Sequence, residues 1–328
     1  MAKGKILYDK IKNRRIEIDV TQQTVSDVLG VPRATYASFE LGKQDFDEDK
    51  LQKLCDFFKI ELSDVYIPGF RNTVVVPLIN NKGGSGKTTV TNGLSYILST
   101  QGYKVLVIDS DAQMNLTHSL GILDRDLECN LNTALIREES LLNFIKPTKY
   151  ENLDIIMADY SLSRIDTELA TKSYRETLFR RLLKPILDKG IYDYILIDTS
   201  PNLGLLNSNI MLTSDYCMVP CSIEAFALDG LEILTGFIND CKRDNPKLNI
   251  LGIVKVKVDK RESSILLQFN KVLEEHFGSI IFDSSIPIDI KIKQSQWNNV
   301  PVSVLAENGK SDKNYKELAK EFVKKSKR

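Results

Sequence analysis

Histidine and cysteine are scarce in this chain of 328 residues, and their positions exclude several classes of protein. With only His118 and His276, a hydrolase or zinc site built on histidine has little to work with. The five cysteines are odd in number and scattered, at positions 55, 129, 217, 221 and 241. This pattern indicates reduced thiols and not a disulfide framework, and it favours a cytosolic protein.

Long apolar runs and an excess of either charge are also missing. No stretch is long and apolar enough to predict a membrane span, and no signal peptide is recognisable, so we expect a cytoplasmic protein. Basic and acidic side chains number 44 each, so the overall charge does not itself indicate nucleic-acid binding. The hydrophobic content of 42% is ordinary for soluble proteins, and the length predicts about two domains.

A glycine-rich segment between two apolar runs predicts a phosphate-binding loop. Residues 80–89 read Asn-Asn-Lys-Gly-Gly-Ser-Gly-Lys-Thr-Thr, after a predicted strand over residues 74–79. Residues 88–101 are a predicted helix and residues 104–109 a second strand, which completes a βαβ unit. The glycines let backbone amides surround phosphate oxygens, while Lys87 reaches the outer phosphates and Thr88 offers a hydroxyl to magnesium.

The loop departs from the usual pattern at two positions. A standard loop of the form G-x-x-x-x-G-K-[ST] would carry glycine at position 81, where this chain has Asn81. The additional lysine, Lys82, has no place in the local cradle, so it requires a separate role.

Pro77, in the preceding strand, cannot donate to a sheet ladder and predicts a bulge or a skipped hydrogen bond.

Three aspartates in order after this loop suggest a catalytic metal site. Asp109 and Asp111 follow the second strand, and Asp198 ends a later hydrophobic strand that begins at Tyr192. An ATPase needs carboxylates near magnesium and near the attacking water. Any one of these residues could instead cap a turn, but three in this order make coincidence a poor explanation.

The loop and the aspartates resemble the ParA/MinD ATPases, and more closely the ParA and Soj partition ATPases, over most of residues 70–325. The resemblance implies an α/β fold with a mostly parallel sheet flanked by helices, with ATP and Mg²⁺ as cofactors. In that family, the lysine at the position of Lys82 reaches across a dimer to the partner's nucleotide, and Asp111 corresponds to the residue that orients the attacking water. The implied catalytic residues are therefore Lys82, Lys87 and Asp111. The implied nucleotide-binding residues are Lys82, Gly83, Gly84, Ser85, Gly86, Lys87, Thr88 and Thr89, and the implied magnesium residues are Thr88, Asp109 and Asp198.

Departures from the family pattern occur at three positions and none removes a charged catalytic group. Ser85 stands where valine is usual, Ala112 replaces a proline, and Met114 stands where glycine is usual. We expect them to affect affinity and rate.

The first 67 residues predict a small all-α domain with a helix-turn-helix. Apolar residues are spaced for two short helices on either side of Gly30, with Thr21 as cap of the first and Pro32 at the first position of the second. The segment resembles the lambda-repressor/Cro (XRE) type, a bundle of five helices. The positions that would face the DNA major groove are Gln22, Arg33, Ala34, Thr35 and Ser38, and arginine and glutamine can read base edges. The alternative is a bundle used only for protein docking.

Basic residues gather at the two ends of the chain. The last segment places Tyr315, Leu318, Ala319, Phe322 and Val323 at helical spacing with lysines opposite. Three interpretations are open: a membrane-surface helix, a DNA-phosphate grip that includes Lys291, Lys293 and Lys313, or a closing helix with a solvated lysine face.

The resemblance implies a partition protein that segregates a plasmid or similar replicon and represses its own operon. We expect residues 1–67 to bind DNA, 68–72 to form a linker and 73–328 to form the ATPase. The expected partners are a second copy of the chain in the presence of ATP, operator DNA, nonspecific DNA of the nucleoid and a small centromere-binding protein, and no membrane. The alternatives are a nucleotide-switched transcription regulator that moves no cargo, and a MinD-like positioning ATPase on a membrane.

Overall fold

The computed structural model describes residues 4–223, 227–259, 261 and 263–327, without the side chains of 227–229, 263–266 and 279. Contacts divide the chain into two compact units. One comprises Met1–Arg71 with Lys189–Ile191, and the other comprises Asn72–Asp188 with Tyr192–Arg328.

Five helices make up most of the first unit. They are α1 (Tyr8–Glu17), α2 (Gln22–Leu29), α3 (Arg33–Glu40), α4 (Glu48–Phe58) and α5 (Leu62–Val65). Two short strands that the sequence pattern did not predict, β1 (Lys5–Ile6) and β2 (Tyr66–Ile67), pair antiparallel at the ends of this unit. The helices surround one apolar core, in which Val25, Leu29, Tyr36, Phe39, Leu51, Leu54 and Phe58 are buried.

Local chemistry fixes the turn between α2 and α3. The Thr21 side chain accepts a hydrogen bond from the Thr24 amide, as an N-cap does, and Gly30 ends α2 at φ 66°. Pro32 differs from the prediction by one position, because it is the N-cap of α3 and Arg33 is its first helical residue. At the cap, proline keeps an extended ψ of 144°, and its carbonyl accepts from the amides of Thr35 and Tyr36.

An eight-stranded sheet organises the second unit. The strands are β3 (Val74–Leu78), β4 (Val105–Asp109), β5 (Lys146–Pro147), β6 (Leu153–Ile156), β7 (Tyr194–Asp198), β8 (Tyr216–Ser222), β9 (Asn249–Val258) and β10 (Ile281–Pro287). Their order across the sheet is β10-β9-β8-β3-β7-β4-β6-β5. All neighbours pair parallel except β5, which is antiparallel to β6. The prediction of a mostly parallel α/β sheet is therefore confirmed.

The connecting helices cover both faces of this sheet. They are α6 (Lys87–Thr100), α7 (Asn115–Ser119), α8 (Leu131–Arg137), α9 (Ile165–Ala170), α10 (Leu178–Lys189), α11 (Leu205–Met211), α12 (Ala227–Asp244), α13 (Ser263–Phe277), α14 (Ile290–Trp297), α15 (Val302–Leu305) and α16 (Lys310–Ser326). Short 3₁₀ turns occupy Leu141–Phe144, Tyr160–Arg164, Arg175–Thr177 and Gly278–Ile280. Along β4, Val105 and Val107 join the core with α6 and α16, whereas Leu106 and Ile108 join the core with α8 to α11. Alternate side chains thus supply the two cores, as a doubly covered parallel sheet requires.

The ladder is interrupted at Pro77, as its missing amide requires. On the side of β3 that faces β8, the amide of Val75 donates to the carboxylate of Asp215, and the amide of Ile79 donates to the carbonyl of Met218. Pro77 lies between these two donors, and Leu78 to Met218 is the pairing that joins β3 to β8. The full register between β3 and β7 continues on the other side. The skipped bond predicted from the sequence therefore falls at the junction with β8.

The last helix, α16, packs its apolar face into the protein. Tyr315, Leu318, Ala319 and Phe322 are fully buried in the core that α6 shares. The approach is close: a Cβ at Gly93 of α6 would lie 2.4 Å from the Tyr315 ring. This apolar face is therefore used in packing, as the closing-helix interpretation predicts. No helix of the described residues is long and apolar enough to cross a membrane.

Candidate functional site

Three strands end together at one edge of the sheet and bring the predicted site residues into one place. Leu78 at the end of β3 is in register with Asp198 at the end of β7, and Asp109 at the end of β4 is in register with the same Asp198. The loop of residues 79–86 leaves β3 at this edge and leads into α6. The site is therefore a product of parallel strand order, in which carboxyl ends align.

Lys87 lies beneath the loop, at the first position of α6. Its side chain is buried, and its Nζ donates to the carbonyl of Asn80 at 3.1 Å and to that of Lys82 at 3.4 Å. Burial lowers the pKa of Lys87, which the nearby carboxylates of Asp198 and Asp111 oppose. A buried ammonium group with two carbonyls as its hydrogen-bond acceptors is suited to bind an anion entering the loop.

The glycines of the loop are required by its geometry. Gly84 and Gly86 have φ of 70° and 91°, in the left-handed region that favours glycine. A Cβ at Gly86 would also lie 3.1 Å from the Val256 side chain at the end of β9. Because these positions turn the backbone without side chains, the loop amides can approach a ligand closely.

The hydroxyl of Thr88 meets Asp198. Its Oγ1 donates to Oδ2 of Asp198 at 2.6 Å, and the other oxygen, Oδ1, is buried without a hydrogen-bond partner among the described residues. Burial raises the pKa of Asp198 well above its usual range, and the neighbouring Asp109 carboxylate adds to the shift. A cation beside this carboxylate would stabilise its ionised form against both burial and the repulsion from Asp109.

These two residues fit magnesium. Among the described residues, no group of three or more histidine, cysteine, aspartate and glutamate side chains could hold a metal. Magnesium does not need such a cage, because it keeps several waters and binds through one or two carboxylates and the phosphates of a nucleotide. The Thr88 hydroxyl and Oδ1 of Asp198 are therefore sufficient as the protein's ligands for a magnesium ion that also binds water and phosphate.

Asp109 is engaged by the protein itself. Its Oδ2 accepts from the amide and hydroxyl of Thr117 at 2.9 and 2.7 Å, and its Oδ1 accepts from the amide of Asp111 at 3.2 Å. Complete burial raises the pKa of Asp109 to about 6. The structure thus places Asp109 beside Asp198 but with both oxygens occupied, so any part in holding magnesium would be indirect.

Asp111 begins the turn that follows β4 and remains partly exposed. Its Oδ1 accepts from the amide of Gln113 at 3.0 Å, which fixes the side chain at the site edge. Met114, in the same turn, has φ 56° and is buried. The backbone there is left-handed, a conformation that glycine adopts without strain. This chain has a methionine in that conformation, and its side chain is buried.

Three other predicted loop residues, Lys82, Ser85 and Thr89, differ in their surroundings. Lys82 is half-buried, and its amide donates to Oδ1 of Asn80 at 2.9 Å. Ser85 is buried, with a hydroxyl that has no hydrogen-bond partner among the described residues. The Thr89 hydroxyl accepts from Gln296 of α14 at 3.0 Å, and its carbonyl accepts from Tyr315 of α16 at the same distance.

Sequence reasoning missed several residues that shape this site. Asn80 joins the loop to β8, because its Nδ2 donates to the carbonyl of Pro220 at 2.7 Å while its Oδ1 holds Lys82. Thr117 holds Asp109, and Gln296 and Tyr315 hold Thr89. Of these only Asn80 lies within the glycine-rich segment, so the others had no local signal to reveal them.

In the first unit, the candidate DNA-reading residues differ in availability. Arg33 is exposed at the start of α3, and Thr35 and Ser38 are half-exposed. Gln22 at the start of α2 donates to the buried carboxylate of Glu40 at 2.7 Å, which also pairs with Arg15. Arg33 is therefore the best placed to contact a partner, whereas Gln22 is held within the unit.

Comparison with known families agrees with both units. A family model described as an AAA domain matches residues 73–250, and a helix-turn-helix model matches residues 11–65. The chromosome partitioning protein ParA of Caulobacter vibrioides is 34% identical over 250 residues, which cover 76% of this chain and 93% of that protein. The sporulation initiation inhibitor protein Soj of Bacillus subtilis is 32% identical over 250 residues, covering 76% and 98%.

A solved structure has the same fold as the second unit. Cobyrinic acid a,c-diamide synthase from Mycobacterium smegmatis, with bound ADP and magnesium, is 25% identical with a TM-score of 0.64, and the match covers 76% of this chain and 93% of that chain. From the loop, the strand-end aspartates and these relatives, we conclude that the chain belongs to the ParA/Soj family of P-loop partition ATPases and carries an N-terminal helix-turn-helix.

Proposed function

We propose that this protein is a partition ATPase that segregates a plasmid or another mobile replicon and represses its own operon. In this proposal residues 73–328 bind and hydrolyse ATP, residues 1–67 recognise an operator, and residues 68–72 link them. The observation that carries it is the cluster of Lys87, Thr88 and Asp198 under a loop that also presents Lys82, on a chain with a helix-turn-helix.

The site residues have separate tasks in this mechanism. The loop amides and Lys87 hold the phosphate chain, and Thr88 with Asp198 would hold magnesium, which neutralises phosphate charge when bound. Asp111 orients the water that attacks the terminal phosphate, from its position at the edge of the site. Asp109, fixed by Thr117, keeps the β4 turn in place beside Asp198.

Dimerisation is assigned to Lys82. We expect Lys82→Ala to bind ATP but to remain monomeric and to hydrolyse it poorly, because the lysine contacts the nucleotide of the second copy. Sedimentation with ATP, together with phosphate release, measures both effects. The control is Lys271→Ala, which removes a lysine that is 78% exposed on α13. A Lys82→Ala protein that dimerises and turns over normally would eliminate the cross-dimer role.

Operator recognition is assigned to Arg33. We expect Arg33→Ala to weaken operator binding by about 1–3 kcal/mol, mostly through one base pair in each half-site, because arginine can pair with both acceptors of a guanine. Further contacts would come from Gln22, Thr35 and Ser38. Gln22 would first break its hydrogen bond to Glu40 and then form one with a base. Footprinting on the DNA upstream of the gene measures the loss.

A matched control separates base reading from general attraction. Lys53→Ala removes an exposed positive charge from α4 of the same unit and should leave the footprint in place. Equal losses in Arg33→Ala and Lys53→Ala would mean that the unit contributes charge alone and would contradict the assignment of Arg33.

Nonspecific DNA binding is assigned to exposed lysines of the second unit. Lys291, Lys293 and Lys313 are exposed, and α16 presents Lys316, Lys320 and Lys324 on the face opposite its buried apolar residues. Contacts of this type bind phosphates without reading bases and weaken steeply with salt. In this proposal ATP-bound dimers hold the nucleoid until a small centromere-bound partner accelerates hydrolysis and releases them.

A further inference from the structure

The carboxyl end of strand β9 lies beside the glycine-rich loop. Val256 lies beside Gly86, where an added Cβ would be 3.1 Å from its side chain. The next residue, Lys257, places its Nζ 3.8 Å from the position that a Cβ on Gly84 would occupy. Two consecutive residues of one strand therefore face the same loop, although successive side chains of a regular strand point to opposite faces.

An irregularity in β9 explains how this happens. The register between β10 and β9 pairs Ser285 with Lys255 but Pro287 with Val258, so two steps along β10 match three along β9. The additional residue forms a bulge, and Lys257 within it has φ 55°. Bulges redirect side chains and are common beside functional sites.

The backbone of Lys257 is strained, and this strain suggests a functional role for the residue. For a residue with a Cβ, the left-handed backbone conformation is less stable than the right-handed one. Such strain persists where the surrounding structure enforces it, and it clusters at ligand sites. Here the strained residue is a lysine, and the strain turns its ammonium group toward Gly84.

The surroundings of this ammonium group indicate the chemistry of its ligand. Gly83 and Gly84 are exposed, so the outer side of the loop is open to a ligand. Lys87 approaches the loop from the buried side, and Lys257 approaches it from the exposed side. A polyanion between them would be bound by cations from both sides.

We propose that Lys257 is an additional phosphate-binding residue, which contacts the phosphate chain of a nucleoside triphosphate from the exposed side of the loop. This inference rests on the proposed ATP binding. It adds strand β9 to the elements that hold the nucleotide. It also gives a functional reason for the bulge.

The test compares ATP affinity in four forms of the full-length protein: wild type, Lys257→Asn, Lys257→Arg and Lys255→Asn. Asparagine tolerates the left-handed backbone, so Lys257→Asn removes the charge and keeps the fold. Lys255 is the matched control, since it lies two residues earlier and its Nζ donates to Asn270 at 3.2 Å. Thermal melting without nucleotide accompanies each affinity measurement.

We expect Lys257→Asn to raise the Kd for ATP about tenfold, because one charge-assisted contact is lost, while a cooperative thermal transition without nucleotide shows that the variant is folded. Lys257→Arg should restore most of the affinity, and Lys255→Asn should leave it unchanged. Equal affinities of wild type and Lys257→Asn would overturn the inference, as would Lys257→Arg binding as weakly as Lys257→Asn. A wild-type protein that binds no ATP would overturn the proposed function as well, so the two failures are distinguishable.

Discussion

Lys87→Ala should lose ATP binding almost completely, with an affinity reduced about 100-fold or more. The side chain is buried under the loop, and its ammonium group lies against the carbonyls of Asn80 and Lys82 within it. Removing a buried charged partner costs about 2–5 kcal/mol, and each 1.4 kcal/mol is a factor of about ten. Equilibrium binding of ATP to the purified protein measures the loss.

The control for this variant must show that the fold survives. Lys87→Ala also removes a buried charge whose pKa is lowered by burial, so its melting temperature without nucleotide should not fall. Dimerisation and ATP-dependent DNA binding should disappear together with ATP binding. A folded Lys87→Ala protein that binds ATP with wild-type affinity would show that the loop is not the nucleotide site.

Asp111→Ala should have the opposite phenotype, with ATP binding and dimerisation kept and turnover reduced about 100-fold or more. The carboxylate lies at the site edge, and the hydrogen bonds of Lys87 and Thr88 go to Asn80, Lys82 and Asp198 instead, so the phosphate cradle stays intact. Loss of a group that positions or deprotonates the nucleophile typically costs about 10²- to 10⁴-fold in rate. Phosphate release at saturating ATP, beside sedimentation, separates binding from chemistry.

Asp124→Ala is the matched control, because Asp124 is an exposed aspartate in the loop that follows α7. It should hydrolyse ATP at the wild-type rate. Normal turnover in Asp111→Ala would move the catalytic role to another residue, and failure of that variant to bind ATP would assign Asp111 to the cradle.

The sequence predicted the βαβ unit and the site that depends on it because both are local. The loop, its glycines and the strand-end aspartates lie in continuous segments with strong hydrophobic or glycine patterns. Parallel strands align their carboxyl ends, so Asp109 and Asp198 could be expected to meet although 89 positions separate them. Local apolar spacing also predicted the two helices around Gly30, whereas the five-helix bundle was implied by the resemblance to the lambda-repressor/Cro type.

Other features of the site depend on contacts that no local pattern encodes. Gln296 and Tyr315 reach Thr89 from more than 200 residues away. The bulge at Lys257 depends on pairing between β9 and β10, and the interruption at Pro77 depends on which neighbour its missing amide faces. Such details follow from tertiary packing, so they appear only once the strand order is known.

The assigned roles of Lys82 and Arg33 stay predictions for a different reason. Each depends on a second molecule, a partner copy or a DNA duplex. Both residues are charged, with Arg33 exposed and Lys82 half-buried, and only experiments with the partner present can test these contacts.

Binding of the full-length protein to DNA, without nucleotide, with ADP and with ATP, tests the central claim most directly. The measurement uses random DNA and the DNA upstream of the gene. We predict that ATP permits binding to random DNA, with an affinity that falls steeply as salt rises. On the upstream DNA we predict an inverted repeat with half-sites about 34 Å apart, or a multiple of that spacing, whose affinity differs several-fold between ADP and ATP. Binding that is the same in all three nucleotide states, on both DNAs, would contradict a nucleotide-driven partition protein.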